Sequence, residues 1–238
     1  MSNLEDSTSN KILAQLDNII EQSLHLLPKI GKEDDTCETT GISLIYPQKR
    51  CGDLRISEQE AKLLLCKQLF DNKIQFAVEV PTRLGYAFEG ENERSGRVDI
   101  CVYDEQNKRL SNIEYKAHNS DTNFKTDFVK LLQEEGQNYF VHILKATNNG
   151  TLYKEGADKR IGIVKKYITT LQREKKVNKF TSLTLYICIL NPFVILKNTI
   201  TRDDLADIES KLKIAYEIKQ NKFKLLDNEK SGWHCISL

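Results

Sequence analysis

Gly96-Arg97-Val98-Asp99-Ile100-Cys101-Val102-Tyr103, followed a few residues on by Asn112-Ile113-Glu114-Tyr115-Lys116, is the stretch whose reading decides the rest of this chain. Both segments have the length and the β-branched content of strands. Side chains alternate across a strand, so Asp99 and Cys101 share one face while Val98, Ile100 and Val102 share the other. By the same rule Glu114, Lys116 and His118 fall together, opposite Ile113, Tyr115 and Ala117. If the strands pair as a hairpin, setting Asp99 across from Glu114 leaves Gln106-Asn107 as a two-residue turn. Setting it across from Lys116 leaves a four-residue loop. Either arrangement gathers the three charged groups on one face, whereas an odd-length loop needs a bulge to do so.

Two directly opposed carboxylates repel, which makes them poor sheet design on their own. A divalent cation reverses that sign, because two carboxylates, a backbone carbonyl and waters are the hard oxygen donors that Mg2+ takes. Such a cation lowers the pKa of a water and stabilises charge developing on a phosphate. A lysine two residues along the same face can position that water or neutralise the phosphate. The plainer alternative is a solvated strand face, since Glu-x-Lys is common in a chain rich in both residues. The context favours chemistry: an Asp one strand earlier, helices on both flanks and apolar neighbours throughout.

Outward from this centre, Ile12, Leu13, Leu16, Ile19, Ile20, Leu24 and Leu27 recur at helical spacing from a Ser9-Asn10 start until Pro28 and Gly31 end the pattern. Residues 32–40 read as a loop. A helix begins at Ser57 with the stripe Ala61, Leu64, Leu65 and Leu69. Strands are expected over 74–82, 97–104 and 110–118, a helix over 124–135 stopped by Gly136, and a strand over 139–146. An amphipathic, lysine-rich helix follows over 158–175, then the nearly continuous apolar strand 182–190, a helix over 203–218 and an edge strand over 233–238. The order predicts an α/β fold, a mixed β-sheet flanked by α-helices. It divides into an N-terminal helix and loop (1–50), a core (51–200) and a C-terminal helix and edge strand packed on that core (201–238).

Bulk properties limit the function classes. Lys and Arg number 35 against 34 Asp and Glu, so no global basic field exists and a polyanion must be held by a local patch. No apolar run is long enough to span a bilayer, and the first ten residues are polar rather than signal-like. The 6 cysteines lack CxxC spacing, which predicts reduced, mostly buried thiols in a cytoplasmic protein and no zinc site.

Residues 57–146 resemble the PD-(D/E)xK nuclease superfamily, the restriction-endonuclease-like fold, whose core runs helix–strand–strand–strand–helix–strand. Asp99 stands at the acidic position of the second strand and Glu114-Tyr115-Lys116 at the (D/E)xK of the third; Val98 replaces the name-giving proline. The resemblance implies Mg2+-dependent DNA cleavage, with Mn2+ able to substitute, in restriction or phage defence. It places the metal on Asp99, Glu114 and the Tyr115 carbonyl, with Lys116 assisting the water. Some members add a glutamate from the first core helix. Glu58 is favoured here, with Glu60, at capping-box distance from Ser57, and Glu79 as rivals. The helix over 124–135 lacks the Gln-x-x-x-Tyr pattern of one exonuclease branch.

Weaker signals surround this set. Arg94 and Arg97, beside the Asp99 strand, and Lys125 and Lys130 are candidate nucleic-acid contacts, with DNA favoured over RNA. The run Lys159-Arg160, Lys165-Lys166, Arg173 and Lys175-Lys176 lines either such a contact or the wet side of a helix. The competing function is a non-catalytic nuclease-fold subunit that binds nucleic acid or a protein partner, with the N-terminal helix as a homodimerisation element.

Overall fold

The computed structural model describes residues 2–30, 43–50, 55–83, 85, 95–117, 121–153, 161–174, 178–226 and 231–236. Helix α1 (Ser2–Leu26) starts ahead of the expected Ser9-Asn10 cap and gives way to a short 3-10 turn, Leu27–Lys29, at Pro28. Its stripe of Leu16, Ile19, Ile20 and Leu24 is buried in one apolar cluster with Ala61, Leu64 and Leu65 and with Ile100, Val102, Ile113 and Tyr115 of the sheet. Each such Leu or Ile contributes about 1.5–3 kcal/mol by leaving water. The helix offered by the sequence as a dimerisation element therefore buries its apolar face inside its own fold.

Helix α2 (Glu58–Asp71) is capped by Ser57, whose hydroxyl oxygen accepts from the Gln59 amide at 3.3 Å and donates to the Glu60 carboxylate at 2.5 Å. The Ser-x-x-Glu spacing thus closes side chain to side chain at the helix start. Ser57→Ala is expected to cost about 1 kcal/mol, read as a lower midpoint in urea denaturation.

Strands β1 (Gln75–Pro81), β2 (Arg97–Tyr103) and β3 (Arg109–Ala117) form an antiparallel meander. Helix α3 (Asp121–Leu132) then crosses to β4 (Gly136–Leu144), parallel to β3, and helix α4 (Ile163–Arg173) to β5 (Phe180–Leu190), parallel to β4. Strand β6 (Phe193–Thr201) returns antiparallel to β5. After a 3-10 turn at Asp203–Asp207 and a short helix α5 (Ile208–Leu212) come a separate hairpin, β7 (Tyr216–Lys219) with β8 (Lys222–Leu225), and finally β9 (His234–Ile236). One seven-stranded mixed sheet results, in the order β1-β2-β3-β4-β5-β6-β9. One of its faces is covered by α1 and α2. The other, with Phe140, Leu185 and Ile187, packs on Phe128, Leu131 and Leu132 of α3 and Val164, Tyr167 and Ile168 of α4.

Two segments differ from expectation. The helix expected over 203–218 is only Ile208–Leu212, because Tyr216, Ile218, Phe223 and Leu225 carry a two-residue period that favours strands. Gln220 and Asn221, at φ +48° and +58°, make the left-handed two-residue turn that joins them. Strand β6 was not expected at all, although Phe193-Val194-Ile195-Leu196 after Asn191-Pro192 is a strand signal behind a turn signal. Cys66, Cys101, Cys188 and Cys235 are free thiols, while Cys37 and Cys51, like the expected loop 32–40, lie outside the described residues. Among the described residues no helix is long and apolar enough to cross a membrane.

The hairpin that carries the site closes differently from either even-length loop. Ile100 faces Ile113, Cys101 faces Asn112 and Val102 faces Ser111, but Tyr103 faces Arg109, leaving Leu110 as a bulge. The loop is three residues, Glu105 to Asn107, closed by the Asp104 amide donating to the Lys108 carbonyl at 3.0 Å. Asn107 takes φ +62°, and the Asp104 carboxylate accepts from the Gln106 and Lys108 amides at 3.0 and 2.8 Å. Asp104, which binds its own turn, makes the odd loop stable, and the bulge restores the phase. Carried one step past Ile100 and Ile113, the ladder sets Asp99 across from Glu114.

Candidate active site

Asp99 and Glu114 meet at the point where their side chains replace part of the β2–β3 ladder. Asp99 Oδ2 accepts from the Tyr115 amide at 2.8 Å, and the Asp99 amide donates to Glu114 Oε1 at 3.2 Å. In a strand the N–H and C=O of one residue point to the same edge, so the Tyr115 carbonyl also faces Asp99. The two carboxylates thus meet between β2 and β3, on the edge that the Tyr115 carbonyl also faces. Lys116, two residues along β3, shares the face of Glu114.

Three ammonium groups are interleaved with the carboxylates. Lys62 of α2 reaches Asp99 Oδ1 at 2.7 Å, and Lys130 of α3 reaches Glu114 Oε1 at 2.7 Å. Lys116 pairs with Asp127 Oδ2 of α3 at 2.7 Å, and Asp127 Oδ1 lies 3.7 Å from Lys130. Lys130 also donates to the Arg97 carbonyl. Asp99, Glu114 and Asp127 against Lys62, Lys116 and Lys130 make three charges of each sign, a balanced cluster in a poorly hydrated position.

The field inside it is strong. Burial, followed by the charge of Asp99, pushes the Glu114 carboxyl well above the ordinary glutamate range, and the Lys130 ammonium only partly offsets this. Burial disfavours the charged forms of Lys62 and Lys130, but their carboxylate partners outweigh it and raise both above an ordinary lysine. Both lysines are therefore cations at neutral pH. Among the described residues no three His, Cys, Asp or Glu side chains converge as a metal cage. A hard cation here would be held by Asp99, Glu114 and the Tyr115 carbonyl, with water completing its shell. Few carboxylates and several waters is how Mg2+ is usually held.

The other expected residues are distributed unevenly. Glu58 is half-buried one turn before Lys62, and its charge acts on that lysine; the α2 side chain that touches Asp99 is Lys62. Glu60 is engaged with Ser57. Glu79 stands across β1–β2 from Asp99 at φ +52°, its carboxylate exposed and 3.9 Å from Lys62. Lys130, expected at nucleic acid, is only 7% exposed and turned onto Glu114. This is a correction: the desolvated carboxylate draws the nearest cation inward. Arg97 is exposed, while Arg94, His118, Lys159, Arg160, Lys175 and Lys176 lie outside the described residues. Lys125 lines a surface groove of about 300 Å³ with Lys166, Thr169, Thr170 and Arg173. Lys165 is paired with Glu209 at 2.7 Å.

Lys62 and Asp127 were missed by sequence reading. Asp127 and Lys130 at i, i+3 share a face of α3, a pattern visible beforehand. Lys62 carries no such signal, because only the packing of α2 onto the meander brings it to Asp99. No family model matches the chain, and no curated protein matches its sequence.

Proposed function

We propose that the chain is a divalent-metal-dependent nuclease of the PD-(D/E)xK type, a DNA endonuclease acting in cytoplasmic restriction or phage defence. One observation carries the reading. Asp99 and Glu114 lie across from each other on neighbouring antiparallel strands, with Lys116 two residues further on the same face. The order α2–β1–β2–β3–α3–β4, with β4 parallel to β3, supports it as well, since it is the order of that superfamily's core.

The oxygens of Asp99, Glu114 and Tyr115 suit Mg2+, or Mn2+ in its place, by hardness and number. When bound, the cation supplies Lewis-acid stabilisation of phosphate charge and a more acidic water. The chain's own residues do the rest. The Tyr115 amide fixes Asp99 Oδ2 at 2.8 Å, and the other oxygen, Oδ1, is held by Lys62 at 2.7 Å. Asp127 holds the buried Lys116 ammonium at 2.7 Å, on the strand face it shares with Glu114, and in the proposed reaction that ammonium orients a water or donates to a non-bridging phosphate oxygen. Arg97 and the groove at Lys125 are the surfaces for the sugar-phosphate backbone.

The test is incubation with plasmid, linear duplex, single-stranded DNA and RNA in Mg2+, Mn2+ or EDTA. Cutting of DNA that stops in EDTA is the expected result; no cutting of any substrate in either metal overturns the reading. A second reading, a non-catalytic nuclease-fold subunit that binds nucleic acid or a protein partner, draws on the charge balance described above, since Lys62 and Lys130 already neutralise both carboxylates. It predicts binding without cleavage in the same assay.

A further inference from the structure

We infer that Lys62 is the internal counter-ion of Asp99, seated on the carboxylate oxygen that a divalent cation needs, and that cation binding transfers its ammonium from Asp99 to Glu79. The inference rests on the metal-dependent reading above and names how that site is kept assembled before the cation arrives.

Both oxygens of Asp99 are engaged: Oδ2 by the Tyr115 amide at 2.8 Å and Oδ1 by Lys62 Nζ at 2.7 Å. The amide belongs to the strand and cannot leave without breaking β3. A cation therefore gains Oδ1 only if Lys62 moves, and the two positive charges at one oxygen would repel each other in any case. Lys62 has somewhere to go. Glu79 Oε1 is already 3.9 Å from its Nζ, on a side chain 55% exposed, so the exchange moves the ammonium outward into water. Glu58, a turn earlier on α2, adds negative charge on the same side. Lys130 is held differently, by the Arg97 carbonyl as well as by Glu114, and stays. The left-handed backbone at Glu79, φ +52°, fits this role, because strain of this kind is retained where the surrounding structure holds a side chain for a purpose.

The experiment is Mn2+ binding to the full chain without nucleic acid, followed by calorimetry and by the resonance signal of free Mn2+. Lys62→Met is expected to bind Mn2+ about tenfold more tightly than the unaltered protein, the factor for removing one partly buried competing ion pair. Lys67→Met, on the same helix but paired with Asp71 at the surface, is expected to leave the affinity unchanged. Glu79→Gln is expected to weaken binding about threefold in the unaltered protein and to have no effect in the Lys62→Met background, as a double-mutant cycle reads out. Weakening in both backgrounds would make Glu79 a ligand and overturn the exchange. Equal or weaker Mn2+ binding by folded Lys62→Met overturns it too while leaving the metal site intact. If neither protein binds Mn2+, this inference and the nuclease reading both fall. Binding by Lys62→Met alone supports the inference in its strongest form.

Discussion

Asp99→Asn is expected to lower phosphodiester cleavage at least about a thousandfold with little change in folding. The amide keeps the size of the carboxylate and can still accept from Tyr115, so the strand pairing survives. What it loses is the negative charge that opposes Glu114 and attracts a cation. Loss of a single preorganised electrostatic partner in a water-poor site costs about 10²–10³ in rate, and here it weakens cation binding as well. Lys116→Met is expected to fall about 10²–10⁴-fold, the range for a group that positions or moves a proton. Single-turnover cleavage of a labelled duplex measures both, and a thermal melt of each variant separates lost chemistry from lost fold. Cleavage by Asp99→Asn at the unaltered rate would remove the metal site from the mechanism.

Lys130→Ala is expected to destabilise the protein by about 3–5 kcal/mol at neutral pH, because it strands Glu114 as a buried unpaired charge. Glu114 is 2% exposed, so water cannot replace the lost ammonium. The sign of the pH dependence follows from burial, which raises its pKa from the ordinary 4.5. A carboxyl raised in the folded state contributes stability below its unfolded pKa and loses it as pH rises through the folded value. The penalty is therefore smallest near pH 4 and grows above it. Lys130→Met combined with Glu114→Gln should recover most of the loss, since removing both charges leaves none unpaired. Mg2+ at millimolar concentration should narrow the gap for Lys130→Ala by binding the folded variant more tightly than the unaltered protein, because Glu114 there has lost its competing ammonium. Urea denaturation across pH 4–8, with and without Mg2+, tests each point.

The elements around the centre were legible because their signals are local. Alternation put Asp99, Glu114 and Lys116 on one face, and Ser57, Pro28 and the stripe Ala61, Leu64, Leu65 and Leu69 marked helix limits and faces. The register at Asp99 and Glu114 was one of two weighed, but its turn was not foreseen. A bulge at Leu110 and an Asp104-bound loop leave only faint traces in sequence. The salt-bridge partners were harder still. Lys62 meets Asp99 across 37 residues, and Lys130 meets Glu114 across the helix–strand interface. Such pairings depend on how layers stack, which periodicity does not encode. The C-terminal hairpin was lost to a helical reading of 203–218, although its alternation and its Asn221 turn were present.

Glu79 has a second effect through its position. Strand β1 ends the sheet, and its outer backbone groups have no described strand beside them. A residue at φ +52° twists that border in mid-strand and sets an exposed acid on it, beside the exposed Val78. A foreign strand would find neither a straight row of amides nor a neutral surface to zip against. The same kink that faces Asp99 thus discourages one molecule from extending its sheet into another.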